Sequence, residues 1–186
     1  MNETIRSILG RRSVRSYTDE KVPMEDLEQI VKCGQYAANG MGLQPWHFTV
    51  VQNRRLLESI SEEYRKIIAD PKIGAGRRGA GDPTFSCIWN APTLIISSGE
   101  VDETLVAVDC GNAAQNMAVA ATSLGIASCI VASVREALTT QNGRLLRQEL
   151  GIPEGFVPYF GVTLGYAGEK PREREPRRED SINYVL

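Results

Sequence analysis

The chain has only one histidine, His47, among its 186 residues. Its four cysteines, Cys33, Cys87, Cys110 and Cys129, lie far apart and form no C-x-x-C pair. That combination argues against a Cys/His zinc site. Scattered single cysteines of this kind read as buried small hydrophobes in a reduced compartment. A basic excess is also missing: 21 Lys and Arg face 23 Asp and Glu, a formal net charge of −2. Nucleic-acid binders normally show such an excess or a basic face. The most apolar stretch, Leu105 to Ile126, carries Asp109, Asn112, Gln115 and Asn116 in its interior, which argues against a membrane span. The opening MNETIRSILG lacks an extended apolar region and does not read as a signal peptide. The expectation is a soluble, cytoplasmic protein with no nucleic-acid or membrane partner, and at 42% hydrophobic one core and one domain spanning 1–186.

Familiar catalytic groupings are equally scarce. No serine sits in a G-x-S-x-G elbow, and no pair of carboxylates shares an apolar context. His47 stands beside Trp46 with no partner Asp or Cys apparent, and reads as structural. GAGRRG, Gly74 to Gly79, matches G-x-G-x-x-G formally. A charged helix end precedes it and Asp82-Pro83 stops a helix from following, so it reads as a flexible loop rather than a phosphate cradle. An enzyme built this way would take its chemistry from a borrowed cofactor.

What is present is a regular alternation of elements. Residues 3–9 read as a helix stopped at Gly10, and Pro23 to about Ala38 as a second, with Leu27, Ile30, Val31 and Gly34 at helical spacing. WHFTVV, Trp46 to Val51, reads as a strand, and Asn53 caps a helix running to about Ile68. Residues 70–84 form a Gly- and Arg-rich loop, followed by a turn at Phe85–Asn90. APTLIISS reads as a strand buried on both faces, because its apolar run is continuous. Asp102 to Leu124 is the longest helix and is apolar on most sides, so it belongs either at the centre of one core or against a second copy of the chain. SLGIASCIVAS enters a strand, Asn142–Leu150 is a short helix, and VPYFGVTLGYA is a strand. A charged tail, EKPREREPRRED, ends in SINYVL.

One stretch stands out against the balanced charge: RRSVRSY, Arg11 to Tyr17, directly after the first helix. It could be ordinary surface charge. In an extended segment, however, Arg11, Ser13 and Arg15 share one face while Val14 turns into the core. Two guanidinium forks and a hydroxyl suit the oxygens of a phosphate. Arg172, Arg174, Arg177 and Arg178, near the other end of the chain, could close over the same group.

Taken in order, these blocks resemble the nitroreductase family of FMN-dependent oxidoreductases. RRSVRSY with TDEKVP is similar to the family's opening motif, AANGMGLQPWHFTVV to its second, and NAPTLIIS, DCGNAAQNMAVAATSLGIAS and LGIPEGFVPYFGVTLGYAGEKP to the remainder, across essentially the whole chain. The resemblance implies an α+β fold, a mixed, mostly antiparallel sheet flanked by helices, in an intertwined homodimer with FMN at the subunit interface. Helix 102–124 would then pack across the dimer, and SINYVL would add a strand to the partner's sheet.

By the same resemblance, Arg11, Arg12, Ser13 and Arg15 hold the FMN phosphate and ribityl chain, joined by Arg177 or its neighbour Arg178. Ala38, Asn39 and Gly40 reach the flavin from the partner subunit, and Ile130, Val131 and Ala132 meet the ring through backbone groups. The chain departs from the family pattern where Ala38-Asn39 replaces Pro-Ser, Gly42 replaces Asn, and Ile130-Val131-Ala132 replaces aromatic-Ile-Gly. The implied activity is a ping-pong cycle. NAD(P)H gives hydride to flavin N5, and a small electron-poor acceptor, a nitroaromatic or quinone, then takes the electrons. No side chain need serve as the general acid. The alternatives are a reductive dehalogenase, an enoate reductase or a flavin-modifying enzyme on the same fold, and a non-catalytic flavin-binding or redox-sensing protein. The loop at 70–84 falls where family members vary most and is expected to shape the substrate side.

Overall fold

Helix starts follow the chemistry of their caps. Asn2 accepts the Ile5 N–H at 3.0 Å and opens α1 (Glu3–Gly10), while Asn53 accepts from Leu56 at 3.3 Å and opens α3 (Arg54–Ala69). Between them, α2 (Met24–Gln35) begins at Pro23 with Glu25 and Asp26 in its first turn, favourably placed against the helix dipole. The remaining α-helices and strands are β1 (Trp46–Val51), α4 (Pro71–Gly74), β2 (Thr93–Glu100), α5 (Val106–Ser123), β3 (Ala127–Val131), α6 (Ser133–Thr139), α7 (Gln141–Glu149) and β4 (Phe156–Gly165), with single 3₁₀ turns at Gly40–Gly42 and Glu179–Ser181. The computed structural model describes residues 1–101, 105–171 and 173–186. The expected start of the long helix at Asp102, and Arg172, lie outside the described residues.

The four strands form one sheet in the order β1-β2-β4-β3, each neighbouring pair antiparallel. Helices cover both faces. On one face Ile95 of β2 and Val162 and Leu164 of β4 pack with Leu27 and Ile30 of α2 and with Ala113, Ala114, Met117 and Ala121 of α5. On the other, Leu94, Ile96 and Val131 meet Leu57 and Ile60 of α3 and Val134 and Leu138 of α6. Because successive strand residues point to opposite faces and both faces are dry, β2 is buried from Thr93 to Gly99. This is the physical origin of its unbroken apolar run. Each fully buried Leu or Ile contributes about 1.5–3 kcal/mol.

The structure adds to the expected elements in three places. Helix α6 follows β3 directly; at seven residues it is too short to announce itself by periodicity, and tertiary burial holds it, with Val134, Ala137 and Leu138 all 0% exposed. The 70–84 segment contains α4 before its run of turns, with Asp70 capping the Lys72 N–H at 2.8 Å. The only parallel pairing among the described residues is a single bridge, Ser13 to Ser128, outside the named strands. SINYVL forms no strand within the chain, and Ile182, Tyr184, Val185 and Leu186 are exposed.

Candidate functional site

Helix α1 ends at Arg11, whose backbone leaves the helix at φ −51°, ψ 133°. From there the chain runs extended along the edge of β3. The Val14 N–H donates to the Ser128 carbonyl at 2.9 Å, the Thr18 N–H to the Tyr166 carbonyl at 2.9 Å, and the Gly168 N–H to the Ser16 carbonyl at 2.9 Å. RRSVRSY is therefore a makeshift edge strand. Its alternation is the expected one, with Val14 buried at 6% exposure and Ser13 and Arg15 turned outward. Arg11 Nη1 lies 3.4 Å from Ser13 Oγ.

Tyr17 pins this segment to the sheet. Its hydroxyl lies 2.8 Å from the Val14 carbonyl and 2.8 Å from Thr163 Oγ1, and Thr163 in turn donates to the Cys129 carbonyl at 3.1 Å. Burial pushes the phenol well above its usual range, outweighing the Thr163 hydrogen bond. Nothing in the motif marks Tyr17 as more than its last letter. Thr163 is 146 residues away, and only the fold brings the two together. Beneath the segment, burial also pushes the Cys129 thiol up, against the pull of Arg15, Ser13 and Arg11.

The backbone bridge at Gly168 brings the C-terminal tail back across the same segment. Together they enclose a cavity of about 580 Å³. Arg11, Arg12, Ser13 and Arg15 line it together with Arg174 and Arg177 from the tail, with Arg78 and Lys170 contributing further positive charge and Glu169, Glu173 and Glu175 some negative. Among the described residues, none of these arginines lies within 4.0 Å of a carboxylate oxygen, whereas Arg6, Arg55, Arg65, Arg77 and Arg178 all do. The Arg174 guanidinium is held below its usual range, first by desolvation and then by the charges of Arg12, Arg177 and Arg11. Crowded cations with no carboxylate oxygen in ion-pair range among the described residues fit a bound polyanionic group, and guanidinium forks with an adjacent hydroxyl match the oxygens of a phosphate.

Within this cluster the arginines divide the labour. Arg12 Nη1 donates to the carbonyls of Leu9, Gly10 and Arg11 at 3.0–3.1 Å, and Arg174 Nη2 to those of Leu9 and Arg11 at 2.6 and 2.8 Å. Both satisfy the open C-terminal carbonyls of α1. Among the described residues, Arg11, Arg15 and Arg177 carry no such bonds. Of the two late candidates, Arg177 lies on the cavity wall, while Arg178 forks onto Asp180 at 3.0 and 2.9 Å.

The remaining sequence candidates sit elsewhere on the chain. Ile130 and Val131 complete β3, and exposed Ala132 caps the start of α6, immediately beyond the strand that carries Ser128. Ala38, Asn39 and Gly40 belong to a separate turn held on α5. The Gly40 N–H meets both carboxylate oxygens of Asp109 at 3.2 Å, and Asn112 Nδ2 donates to the Ala38 carbonyl at 3.1 Å. Asn39 folds the turn by accepting from the Gln44 N–H at 2.9 Å, with Met41 and Gln44 at φ 51° and 50°. Asp109 is 5% exposed, and its support of this turn was not legible from sequence. His47 lies edge-on to Phe156 with ring centres 6.5 Å apart, a packing role.

Comparison with known proteins places these features in context. The Nitroreductase family matches residues 8–166. A putative NADH dehydrogenase/NAD(P)H nitroreductase of Archaeoglobus fulgidus is 33% identical over 167 residues, 89% of this chain and 86% of that protein. The crystal structure of a nitroreductase with bound FMN from Bacteroides fragilis superposes with a TM-score of 0.93 at 36% identity, covering all of both chains. A second nitroreductase with bound FMN, from Desulfitobacterium hafniense, gives 0.92 at 29% identity, also over both chains in full. No helix among the described residues is long and apolar enough to cross a membrane.

Proposed function

The chain belongs to the nitroreductase family, and on that premise we propose that it is an FMN-dependent oxidoreductase that draws on NAD(P)H. The observation that carries the cofactor assignment is the cavity itself: arginines converge on it from both ends of the chain, and none of them is ion-paired to a carboxylate among the described residues. Bound there, FMN would supply the redox chemistry that carries hydride equivalents from NAD(P)H to an electron-poor acceptor such as a nitroaromatic or a quinone.

The chain's own residues bind and orient. Arg11, Ser13, Arg15 and Arg177 hold the phosphate. Arg12 and Arg174 fix the helix end from which that set departs, and Tyr17 with Thr163 locks the segment to the sheet. The end of β3 at Ile130, Val131 and Ala132 offers backbone groups to the ring. No side chain is assigned a proton-transfer step.

The working form is a homodimer. Ile5, Ile8 and Leu9 of α1, with Leu105 and Val108 at the start of α5, are 46–57% exposed, an apolar surface suited to a second copy of the chain. The Ala38–Gly40 turn stands on α5 beside Val108, where it would face the partner's flavin. The exposed apolar ends of SINYVL would extend over the partner's sheet.

The visible spectrum of the purified protein tests the proposal. The expected result is a flavin band that NADH or NADPH bleaches anaerobically and that a quinone or nitroaromatic restores. A colourless protein that takes up no FMN refutes the cofactor assignment. Bound FMN that neither nucleotide reduces makes the chain a flavin-binding protein rather than an oxidoreductase.

A further inference from the structure

Arg78 reaches the arginine cavity from a part of the chain that the phosphate motif does not include. It lies in the turns between α4 and β2, the loop whose sequence suggested the substrate side, yet it lines the same cavity as Arg11, Ser13 and Arg15. Its guanidinium carbon sits 4.4 Å from the centre of the Trp89 ring, and that of Arg15 lies 5.6 Å from the same ring. One indole thus organises a cation from the motif and a cation from the loop. A guanidinium stacked on an aromatic face keeps its in-plane N–H groups available to an anion.

Trp89 is held for this position. Trp89 and Asn90 adopt successive left-handed conformations, φ 60° and 54°, which side chains other than glycine rarely take. Ser86 Oγ accepts the Asn90 N–H at 3.0 Å, and Phe85 packs edge-on to the indole at 5.7 Å. The indole N–H is buried without a partner among the described residues. The neighbouring Arg77 is ion-paired with Glu136 of α6 and anchors the loop, whereas Arg78 has no carboxylate partner among the described residues.

We propose that Arg78 is a further ligand of the cofactor phosphate, delivered by the 75–84 loop and aligned by Trp89. The loop then acts as a clasp on the phosphate end of the cofactor. This inference rests on the FMN assignment above. Its test compares FMN with riboflavin, which has the same ring and ribityl chain and no phosphate, by flavin-fluorescence titration of the wild type, Arg78→Ala and Lys72→Ala. Lys72 removes a charge from the same region without touching the cavity. Arg78→Ala is expected to weaken FMN about tenfold, the scale of one charge-assisted hydrogen bond at an exposed site, and to leave riboflavin within twofold. Lys72→Ala should leave both unchanged. FMN affinity unaltered by Arg78→Ala overturns the inference, as does an equal loss for both flavins or an equal loss in Lys72→Ala. A wild-type protein that binds no FMN overturns the cofactor assignment itself.

Discussion

Replacing Tyr17 by Phe removes one oxygen and tests whether the arginine segment depends on its attachment to the sheet. The hydroxyls of Tyr17 and Thr163 have two protons between them for three close contacts, to the Val14 carbonyl, to the Cys129 carbonyl and to each other. At most two of these contacts are true hydrogen bonds at any moment. Without the phenol oxygen, Thr163 keeps its bond to Cys129 and the Val14 carbonyl loses its side-chain donor. A net hydrogen bond is worth about 0.5–1.5 kcal/mol, and a buried group left unsatisfied costs about 1–3. With one group stranded and one retained, the expected loss is about 1–2 kcal/mol. In a chain of this length that is about 2–8 °C in Tm. Urea unfolding of the FMN-free protein should show the midpoint falling with an unchanged slope. FMN affinity should fall as well, because Ser13 and Arg15 lose their fixed spacing. The pH dependence carries the same sign. Burial raises the folded phenol above the ordinary 10.0, so its contribution is complete below that value and is lost as the pH rises and the unfolded chain ionises first. Tyr17→Phe should lack this alkaline decline. A variant with wild-type midpoint and wild-type FMN affinity would refute the reasoning.

Other predictions follow from the same geometry. Arg11→Ala and Arg15→Ala should each cost about 1.5–3 kcal/mol of FMN affinity, measured by fluorescence titration. Arg12→Ala should lower stability by about 0.3–1 kcal/mol and affect FMN less, since its Nη1 is already committed to the α1 carbonyls. Glu63 of α3 is buried against the start of α7; burial pushes its carboxyl up, but hydrogen bonds from Lys66, Thr140 and Asn142 and the Lys66 charge outweigh that and hold it below the ordinary 4.5. Its stabilising contribution is therefore complete above that value and is lost as the pH falls through the folded one. The stability gap between wild type and Glu63→Gln, followed by denaturant titration, should be widest near neutrality and close in acid. Val108→Asp places a charge on the exposed apolar start of α5 and should shift sedimentation from dimer to monomer; a wild-type dimer in that variant would argue for another interface.

Much of the fold was legible because its signals are local. Asn53 caps the helix start it marks, and Trp46–Val51 is a strand with the boundaries its residues suggest. The unbroken apolar run of β2 implied cover on both faces, and both faces are covered. Helix α6 was not legible, because seven residues with three buried positions show no period and depend on α3 and β4 for their cover. The loop at 70–84 was legible as irregular chain but not in its direction. Arg77 and Arg78 differ by one position, yet one is tied to Glu136 and the other lies over Trp89.

For the site, residue types and spacing by themselves determined that Arg11, Ser13 and Arg15 would share a face if the segment were extended, because alternation is a property of the backbone. Whether it is extended, and what lies opposite, is decided by non-local contacts: the Val14 bond to Ser128, the Tyr17 contact with Thr163, and the return of the tail at Gly168. The division of roles also belongs to the tertiary structure. The chain spells Arg11, Arg12, Arg174, Arg177 and Arg178 alike, but helix-end carbonyls claim Arg12 and Arg174, Asp180 claims Arg178, and the others line the cavity with no ion pair among the described residues. A guanidinium's role depends on which oxygens lie within about 3 Å of it, and a sequence does not list distances.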